Sequence, residues 1–391
     1  MTKKEVKPHI RFAGFEEDWK WQNLEEITSL ITKGTTPLCK SNNGTVNFVK
    51  IESIDNSSGE ITITQKISHE EHEGNLRRSQ LKENDILFSI AGTLGRVTSV
   101  KSNILPANIN QALAIIRIKS GCLKYIKTYL KSKAVADFIR KNPTIGAQLN
   151  LSLEQVGNIK IALPSEKEQK QIGLFFEQLD NIIILHQHKY DKLINIKKSM
   201  LKKMFPKKGS DVPEIRFKGF SDNWERYKLE EVVTEIVAGG DIDNNLIREK
   251  GRFPVIANAI TKDGIVGYYD TKYRVEAPAV TVTGRGYVGH AKVRNVNFTP
   301  VVRLLSLKSN HDVFFLENAI NTLKIVVEST GVPQLTIPQL SKYEISLPKT
   351  LVEEQKIGSY FRNIDTIITL HERKLEKLKN IKKTCIEKMF V

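Results

Sequence analysis

Apolar residues recur at alternating steps of three and four along two stretches of the chain. The first runs through Ile172, Phe175/Phe176, Leu179, Ile182/Ile183, His186, Tyr190, Leu193, Ile196 and Met200. The second runs through Ile357, Tyr360/Phe361, Ile364, Ile367/Ile368, His371, Leu375, Leu378, Ile381 and Cys385. This is the heptad rhythm of a helix that seeks a partner helix. Each stretch follows a Leu-Pro pair and a capping-box spacing, Ser165-Glu166-Lys167-Glu168 or Thr350-Leu351-Val352-Glu353. In such a box the hydroxyl accepts from the N–H three residues on and the glutamate reaches back. A helix from Glu166 to Met204 spans roughly 58 Å at a rise of ~1.5 Å per residue, far longer than an ordinary globular helix. Two such helices in one chain pair most simply with each other, running antiparallel. The expected seam sets Ile172, Leu179, His186 and Leu193 against Ile357, Ile364, His371 and Leu378. The two histidines read as polar residues that set register, with titration or metal binding as the alternative.

The helical stretches are copies. Ile172 to Pro206 aligns with Ile357 to Val391 at a constant offset, with 18 of 35 positions identical. Pro8 to Ile27 aligns with Pro213 to Val232 with 10 of 20 identical. The chain is therefore a tandem duplication, expected to divide into residues 1–163, a helix in 164–206, a linker and second domain in 207–346, and a helix in 347–391. Thr28 to Ile145 and Val233 to Thr330 share little beyond a closing pattern: Gly146, Gln148 and Leu149 in one copy, Gly331, Gln334 and Leu335 in the other. Alternation and glycine turns predict strands there, such as Asp85 to Ile90, Gln111 to Ile118, Ala279 to Thr283 and Val301 to Leu305. The fold class is α+β: two mixed α/β domains separated by two long antiparallel coiled-coil helices with pseudo-twofold symmetry. Matching segments imply one job done twice, and unlike segments in matching places imply two versions of one job.

Charge points to the partner. Lys+Arg 60 against Asp+Glu 44 gives a net +16, a positive field that favours nucleic acid, with a basic membrane-surface binder as the lesser possibility. No apolar run reaches the 18 residues of a membrane span, and the opening MTKKEVKPHIRF lacks the apolar segment of a signal peptide. Three scattered cysteines, Cys39, Cys122 and Cys385, fit no disulfide framework, and a reducing cytoplasm is expected. Enzyme signatures are missing. There is no phosphate loop of the form G-x-x-x-x-G-K-[ST], and His69-Glu70-Glu71-His72 has the wrong spacing for a zinc helix and reads as solvated surface. Asn142-Pro143-Thr144-Ile145 lacks the second proline and the aromatic of an amino-methyltransferase motif. Gly284-Arg285-Gly286-Tyr287-Val288-Gly289 has dinucleotide spacing, but the residues after it read as a strand, so a glycine turn is expected. Arg and Lys can read guanine, and Asn and Gln adenine, through paired major-groove hydrogen bonds. The candidates are Lys33, Thr35, Arg77, Arg78, Arg96, Asn108, Asn110 and Gln111 in the first domain. In the second they are Asn258, Lys262, Arg285, Tyr287, His290 and Arg294.

Several of these residues carry a family resemblance. Two unlike domains are each closed by Leu-Pro and a long helix opening Glu168-Gln169-Lys170-Gln171-Ile172 or Glu354-Gln355-Lys356-Ile357. With Lys33-Gly34-Thr35-Thr36-Pro37, Ala107-Asn108-Ile109-Asn110-Gln111, and Ile10-Arg11-Phe12 with Trp19, the chain resembles the specificity subunit of type I restriction-modification systems. The resemblance implies two target-recognition domains, each reading one half of a split double-stranded DNA target, with the helices measuring the spacer. It further implies an asymmetric target and no catalytic residue, metal or cofactor in this chain. The implied partners are two adenine-methyltransferase subunits, which use S-adenosylmethionine, and restriction/translocase subunits, which use ATP and Mg. A self-contained DNA methyltransferase and a coiled-coil adapter that does not bind DNA are the rival readings.

Overall fold

In a computed structural model, which describes residues 7–38, 44–55, 59–62, 64–142, 149–326 and 334–390, each heptad stretch is one continuous helix of 39 residues. Cys39, Pro143 to Ile145, Gly146, Gln148 and Gly331 of the sequence patterns lie outside the described residues. Contacts divide the chain differently from the four expected segments. One unit is Met1–His188 with Arg373–Val391 and the other is Lys189–Glu372, so the dividing line cuts both long helices near their midpoints.

The first unit holds strands β1 (Lys20–Asn23), β2 (Thr28–Lys33), β3 (Val46–Val49), β4 (Gln65–Ile67), β5 (Ile86–Ser89), β6 (Val97–Ser99), β7 (Ala107–Ile109), β8 (Leu113–Ile118) and β9 (Lys160–Leu163). Its helices are α1 (His69–Glu73), α2 (Leu123–Tyr129), α3 (Lys133–Lys141), α4 (Leu153–Gly157) and the first part of α5 (Glu166–Met204). The strands form a four-stranded sheet in the order β2-β8-β5-β6, a three-stranded sheet β4-β3-β7 and a ribbon β1-β9. The second unit repeats this with β10 (Glu225–Lys228), β11 (Val233–Ala238), β12 (Phe253–Ile256), β13 (Ile265–Tyr269), β14 (Ala279–Thr283), β15 (Ala291–Arg294), β16 (Thr299–Pro300), β17 (Leu304–Ser309) and β18 (Glu344–Leu347). Its sheets are β11-β17-β14-β15, β13-β12-β16 and β10-β18. Its helices are α6 (Leu229–Val232), α7 (Val313–Asn321), α8 (Ile337–Ser341) and part of α9 (Leu351–Met389). Segments with almost no shared sequence therefore share one topology, including the parallel pairs β3 with β7 and β12 with β16. The frame needs apolar residues at its buried strand positions more than particular side chains: Ile86 and Phe88 of β5 face one core and Leu87, on the other face, a second.

Within each unit the two helix segments run antiparallel. In the first, Phe176 stacks on Phe390 at 5.6 Å and Asp180 pairs with Lys382. In the second, Lys197 Nζ meets both oxygens of Asp365 at 2.6 and 2.8 Å, and Phe205 lies 6.1 Å from Phe361. Of the expected seam, Ile172, Leu179, Ile357 and Ile364 are buried, while His186, Leu193, His371 and Leu378 are half-buried. Where the pattern offered two adjacent residues, Ile183 and Ile368 face inward and Ile182 and Ile367 remain exposed.

The helix ends tie each unit together. Met389 and Phe390, at the end of α9, sit in the first unit's core against Tyr125, Tyr129 and Phe176. Met204 and Phe205, at the end of α5, fill the same place in the second unit against Trp224, Phe315 and Phe361. The Ile-Arg-Phe segment straps these ends to the start of the partner helix. Ile10 N–H donates to Lys388 O, one of the carbonyls a helix end leaves without an internal partner, and Arg11 grips Glu168 at 2.7 and 2.8 Å. In the other unit Ile215 N–H donates to Lys203 O, and Arg216 grips Glu353 at 2.7 and 2.8 Å.

This corrects the capping boxes. Ser165 and Thr350 do accept from the N–H groups of Glu168 and Glu353, both at 3.4 Å. The glutamates, however, turn to the arginines instead of reaching back, because a bidentate charged pair is stronger than one bond to a backbone amide. The residue after each glutamate anchors the domain: Gln169 accepts from Cys122 N–H at 2.9 Å, and Glu354 from Asp312 N–H at 3.2 Å. The repeats thus align Gln169 with Glu354, one residue away from the Glu-Gln match that the sequence suggests. Gly173 and Gly358 follow from the same contact. A Cβ there would lie 2.9 Å from Tyr125 N or from Phe315 N, so only glycine lets the start of α2 or α7 rest on the long helix.

Glu353 and Arg216 are almost wholly buried, and removing one partner of such a pair leaves an uncompensated charge at a cost of about 3–5 kcal/mol. Arg216→Ala is accordingly expected to destabilise the second unit by that amount, read by urea unfolding followed through Trp224 fluorescence. An unchanged midpoint would show that the strap does not hold the unit.

Candidate nucleic-acid interface

One turn occupies the same place in both unlike domains. Between β5 and β6, Ser89 Oγ donates to Thr93 O at 2.5 Å and accepts from Arg96 N–H at 2.7 Å. Between β14 and β15, Thr283 Oγ1 donates to Tyr287 O and accepts from His290 N–H at 3.0 Å. Gly92 and Gly95 have φ of 70° and 77°, and Gly286 and Gly289 have 74° and 85°. These left-handed positions account for the glycine spacing. No helix follows Gly289; strand β15 does, as expected of a glycine turn. The turns therefore share a backbone and differ at their tips, Ala91 and Thr93 in one and Arg285 and Tyr287 in the other.

Residues 150–151 and 334–335 complete the tips. Leu151 N–H donates to Ile90 O, and Leu335 N–H to Gly284 O, both at 2.9 Å. Asn150 bridges Ala91, and Gln334 bridges Arg285. Gln334 therefore corresponds to Asn150, and the closing pattern that matched it to Gln148 is two residues out of register. Around the second tip Arg285 and Tyr287 are exposed, Tyr287 at 67%. Beside them Arg303, in the left-handed region at φ 70°, donates to Gln334. Arg303 and Gln334 were not among the sequence candidates. Val301 to Leu305 read as a continuous strand, but β17 begins at Leu304 and leaves Arg303 on the turn before it. Likewise β8 begins at Leu113 and leaves Gln111 on an exposed turn.

In the first domain three candidate groups meet. Gly34 passes so close to Ile109 O that a Cβ would lie 2.0 Å away, which brings Lys33 to Thr36 alongside Asn110 and Gln111. Thr36 donates to Gln111 at 3.0 Å, and Asn75 donates to Thr36 O at 3.3 Å. Lys33, Arg77, Arg78 and Gln111 are exposed, and Thr35 is half-buried. Asn110 caps its own turn by accepting from Ala112 N–H at 3.3 Å. Arg96 is half-buried, with Nη1 3.4 Å from Ile51 O.

Asn108 is not available to a base. It is wholly buried, donates to Leu76 O at 2.8 Å and to Ser79 Oγ at 3.2 Å, and meets His72 Nδ1 at 2.5 Å. It fixes the turn that displays Arg77 and Arg78. The same bond corrects the reading of His69 to His72 as solvated surface, since His72 is buried.

In the second domain Asn258 also holds structure: it accepts from Gly284 N–H and donates to Val302 O, both at 2.8 Å. Arg294 is half-buried and donates to Thr281 Oγ1 at 3.0 Å and Asp263 O at 2.9 Å. Burial lowers its pKa, and it serves as a tie between strands and turn rather than as a reading group. Burial and nearby Lys292, Lys197 and Arg294 also lower the pKa of His290. Lys262 is exposed, at φ 50°.

Two copies of one frame, each displaying different basic and amide groups, characterise a protein that recognises two different stretches of a polyanion. Comparison with known proteins gives the family. The type I restriction modification DNA specificity domain matches twice, over residues 16–195 and 221–380, and the chain belongs to this family. It is the specificity component of a type I restriction-modification system. A chain of Methanocaldococcus jannaschii named as the MjaX type I restriction enzyme specificity subunit is 25% identical over 401 residues, covering 94% of this chain and 91% of that one. A type I specificity subunit of Mycoplasma pneumoniae is 23% identical over 231 residues, 55% of this chain and 58% of its own length. The EcoBI specificity subunit of Escherichia coli is 27% identical over 205 residues, 48% of this chain and 41% of its own. The crystal structure of the S subunit of a type I system from M. genitalium shares the fold, with a TM-score of 0.70 at 13% identity over 99% of both chains.

Arg285 is exposed at its tip, and a bidentate base contact is worth about 1–3 kcal/mol. Arg285→Ala should therefore weaken methylation or binding at one half of the target by that amount and leave the other half untouched. Equal loss at both halves would place Arg285 outside the reading surface.

Proposed function

We propose that each domain reads one half of an asymmetric, split DNA target, so that the assembled enzyme methylates or restricts only where both halves occur. The observation that carries this is the shared turn with unlike tips. A common backbone presents its side chains at equivalent places, while Ala91 and Thr93 against Arg285 and Tyr287 give each domain its own donor and acceptor pattern.

The partners follow from the duplicated helix. Ile182 and Leu185 of α5 are exposed at 43% and 52%, and their counterparts Ile367 and Leu370 of α9 at 43% and 59%. Water-facing pairs at the same place in both repeats suit two copies of one apolar partner surface, and two methyltransferase subunits are that partner. Catalysis then belongs to the other subunits: S-adenosylmethionine to the methyltransferases, ATP and Mg to the restriction subunits. This chain supplies address and scaffold in the cytoplasm. Among the described residues no helix is long and apolar enough to cross a membrane.

Purified alone, the chain should show neither methyl transfer nor ATPase activity. With methyltransferase subunits added it should bind a specific duplex. Ile182→Asp with Leu185→Asp should then leave a complex with one methyltransferase in place of two, by native mass spectrometry, and turnover by the lone chain would contradict the division of labour.

The pairing of Lys197 with Asp365 and of Asp180 with Lys382 also dictates how the spacer is tested. Lengthening one helix alone would break these pairs. Seven residues inserted in both, after His188 and after Glu372, restore the heptad and add about 10 Å at ~1.5 Å per residue, or three base pairs at ~3.4 Å each. The expected product methylates the same two half-sequences with a spacer about three base pairs longer. An unchanged spacer in an active variant would show that the helices do not measure it.

A further inference from the structure

A cavity of about 240 Å³ opens in the first unit, where the domain meets α5. Its domain wall carries Lys101, Lys127 and Lys131, and its helix wall Glu177 and Asp180. The acids are already matched: Glu177 pairs with Lys124 at 2.6 Å, Asp180 with Lys382 of α9, and Glu60, which also lines the cavity, with Lys101 at 2.7 Å. Lys127 reaches the Ser99 hydroxyl at 3.4 Å. Among the described residues no carboxylate pairs with Lys127 or Lys131, and both are half-buried.

We propose that Lys127 and Lys131 form an anion site that takes a phosphodiester of the DNA backbone beside the first half-site. The proposal rests on the DNA-reading function and adds a one-sided backbone grip to it. Two half-buried ammonium groups bear a desolvation cost that a shared phosphate oxygen offsets with charge-assisted hydrogen bonds. Burial first, with Lys382 and Lys127 adding to it and Asp180 opposing, brings the Lys131 pKa down to about 8.

The second unit lacks this grip. The contacts of Gly173 with Tyr125 and of Gly358 with Phe315 set α2 and α7 in register, so Glu317 stands where Lys127 stands. The local helix pair is again a Lys–Asp bridge, Lys197 with Asp365. Burial pushes the Glu317 carboxyl up to about 7, with Lys197 and Lys292 opposing and Asp365 reinforcing. A carboxyl at that place repels a phosphate as soon as it ionises.

The test uses the full chain in complex with its methyltransferase subunits, binding a duplex that carries the methylated target, over a range of salt and pH. Neutralising one phosphate contact flattens the log–log salt dependence by about 0.9. Lys127→Gln with Lys131→Gln is expected to lower the slope by about 1 to 2 with the recognised sequence unchanged, while Glu317→Gln does not flatten it. Protonated Lys131 holds the phosphate and neutral Lys131 does not, so affinity in the unaltered complex should fall as pH rises from 7 to 9. Lys131→Arg should keep the slope and abolish that fall, which also separates loss of charge from misfolding. An unchanged slope in the double variant would overturn the site. So would competition by inorganic phosphate, at constant ionic strength, that the double variant abolishes without change in DNA binding, since the site would then take free anion. A complete lack of specific binding by the unaltered complex would instead overturn the functional reading, and the site with it.

Discussion

Each domain is closed by the end of the helix that belongs to the other repeat. Phe390 fills the first unit's core among Tyr125, Tyr129 and Phe176, and Phe205 fills the second among Trp224, Phe315 and Phe361. A large aromatic in a closed core is worth several kcal/mol, so neither domain is complete without the pairing of α5 with α9. The strap follows from this. A helix end sunk in a core needs donors for its last carbonyls, and the N–H groups of Ile10 and Ile215 provide them, while Arg11 and Arg216 lock the neighbouring helix start. The first unit requires the chain's last residues against its earliest, a closure of very long sequence separation, whereas the second unit closes within a continuous segment.

That constraint separates what may vary from what may not. The residues identical between repeats are those of the helices, the strap, the buried Trp19 and Trp224, and the glycine on which α2 or α7 rests. Between these anchors the sheets need only residues that can be buried at the strand positions, so the domains keep one strand order while their turn tips diverge. Side chains placed on tips change without cost to the core, as Ala91 and Arg285 show on the same backbone.

For the polar residues, chemical type and availability diverge. Asn108, Asn258 and Arg294 have the side chains of base readers, yet each spends its hydrogen bonds inside the protein. Their neighbours Arg77, Arg78, Arg285 and Tyr287 stay open to solvent because those bonds hold the turns that display them. A donor's chemistry is written in its residue type, but its availability depends on burial, which residues distant in sequence decide. Arg303 illustrates the reverse: within Val-Val-Arg-Leu-Leu it has the pattern of a strand, and only the close passage of Gly284 beside its carbonyl marks it as a turn residue.

The sequence alone was enough to determine the duplication, the two long helices, the inward seam and the DNA-directed charge, because each is a periodic or additive property that a linear pattern carries. It also named the turn at Gly286, since left-handed backbone selects glycine locally. Only the tertiary structure could show that the two unlike domains share one topology, that Glu168 and Glu353 serve an arginine strap instead of a capping box, and that Lys127 and Glu317 occupy equivalent places. Those facts depend on contacts between residues distant in sequence, such as Arg11 with Glu168 at 2.7 Å. Charge-assisted pairing across such a distance overrides the local preference that a short motif records.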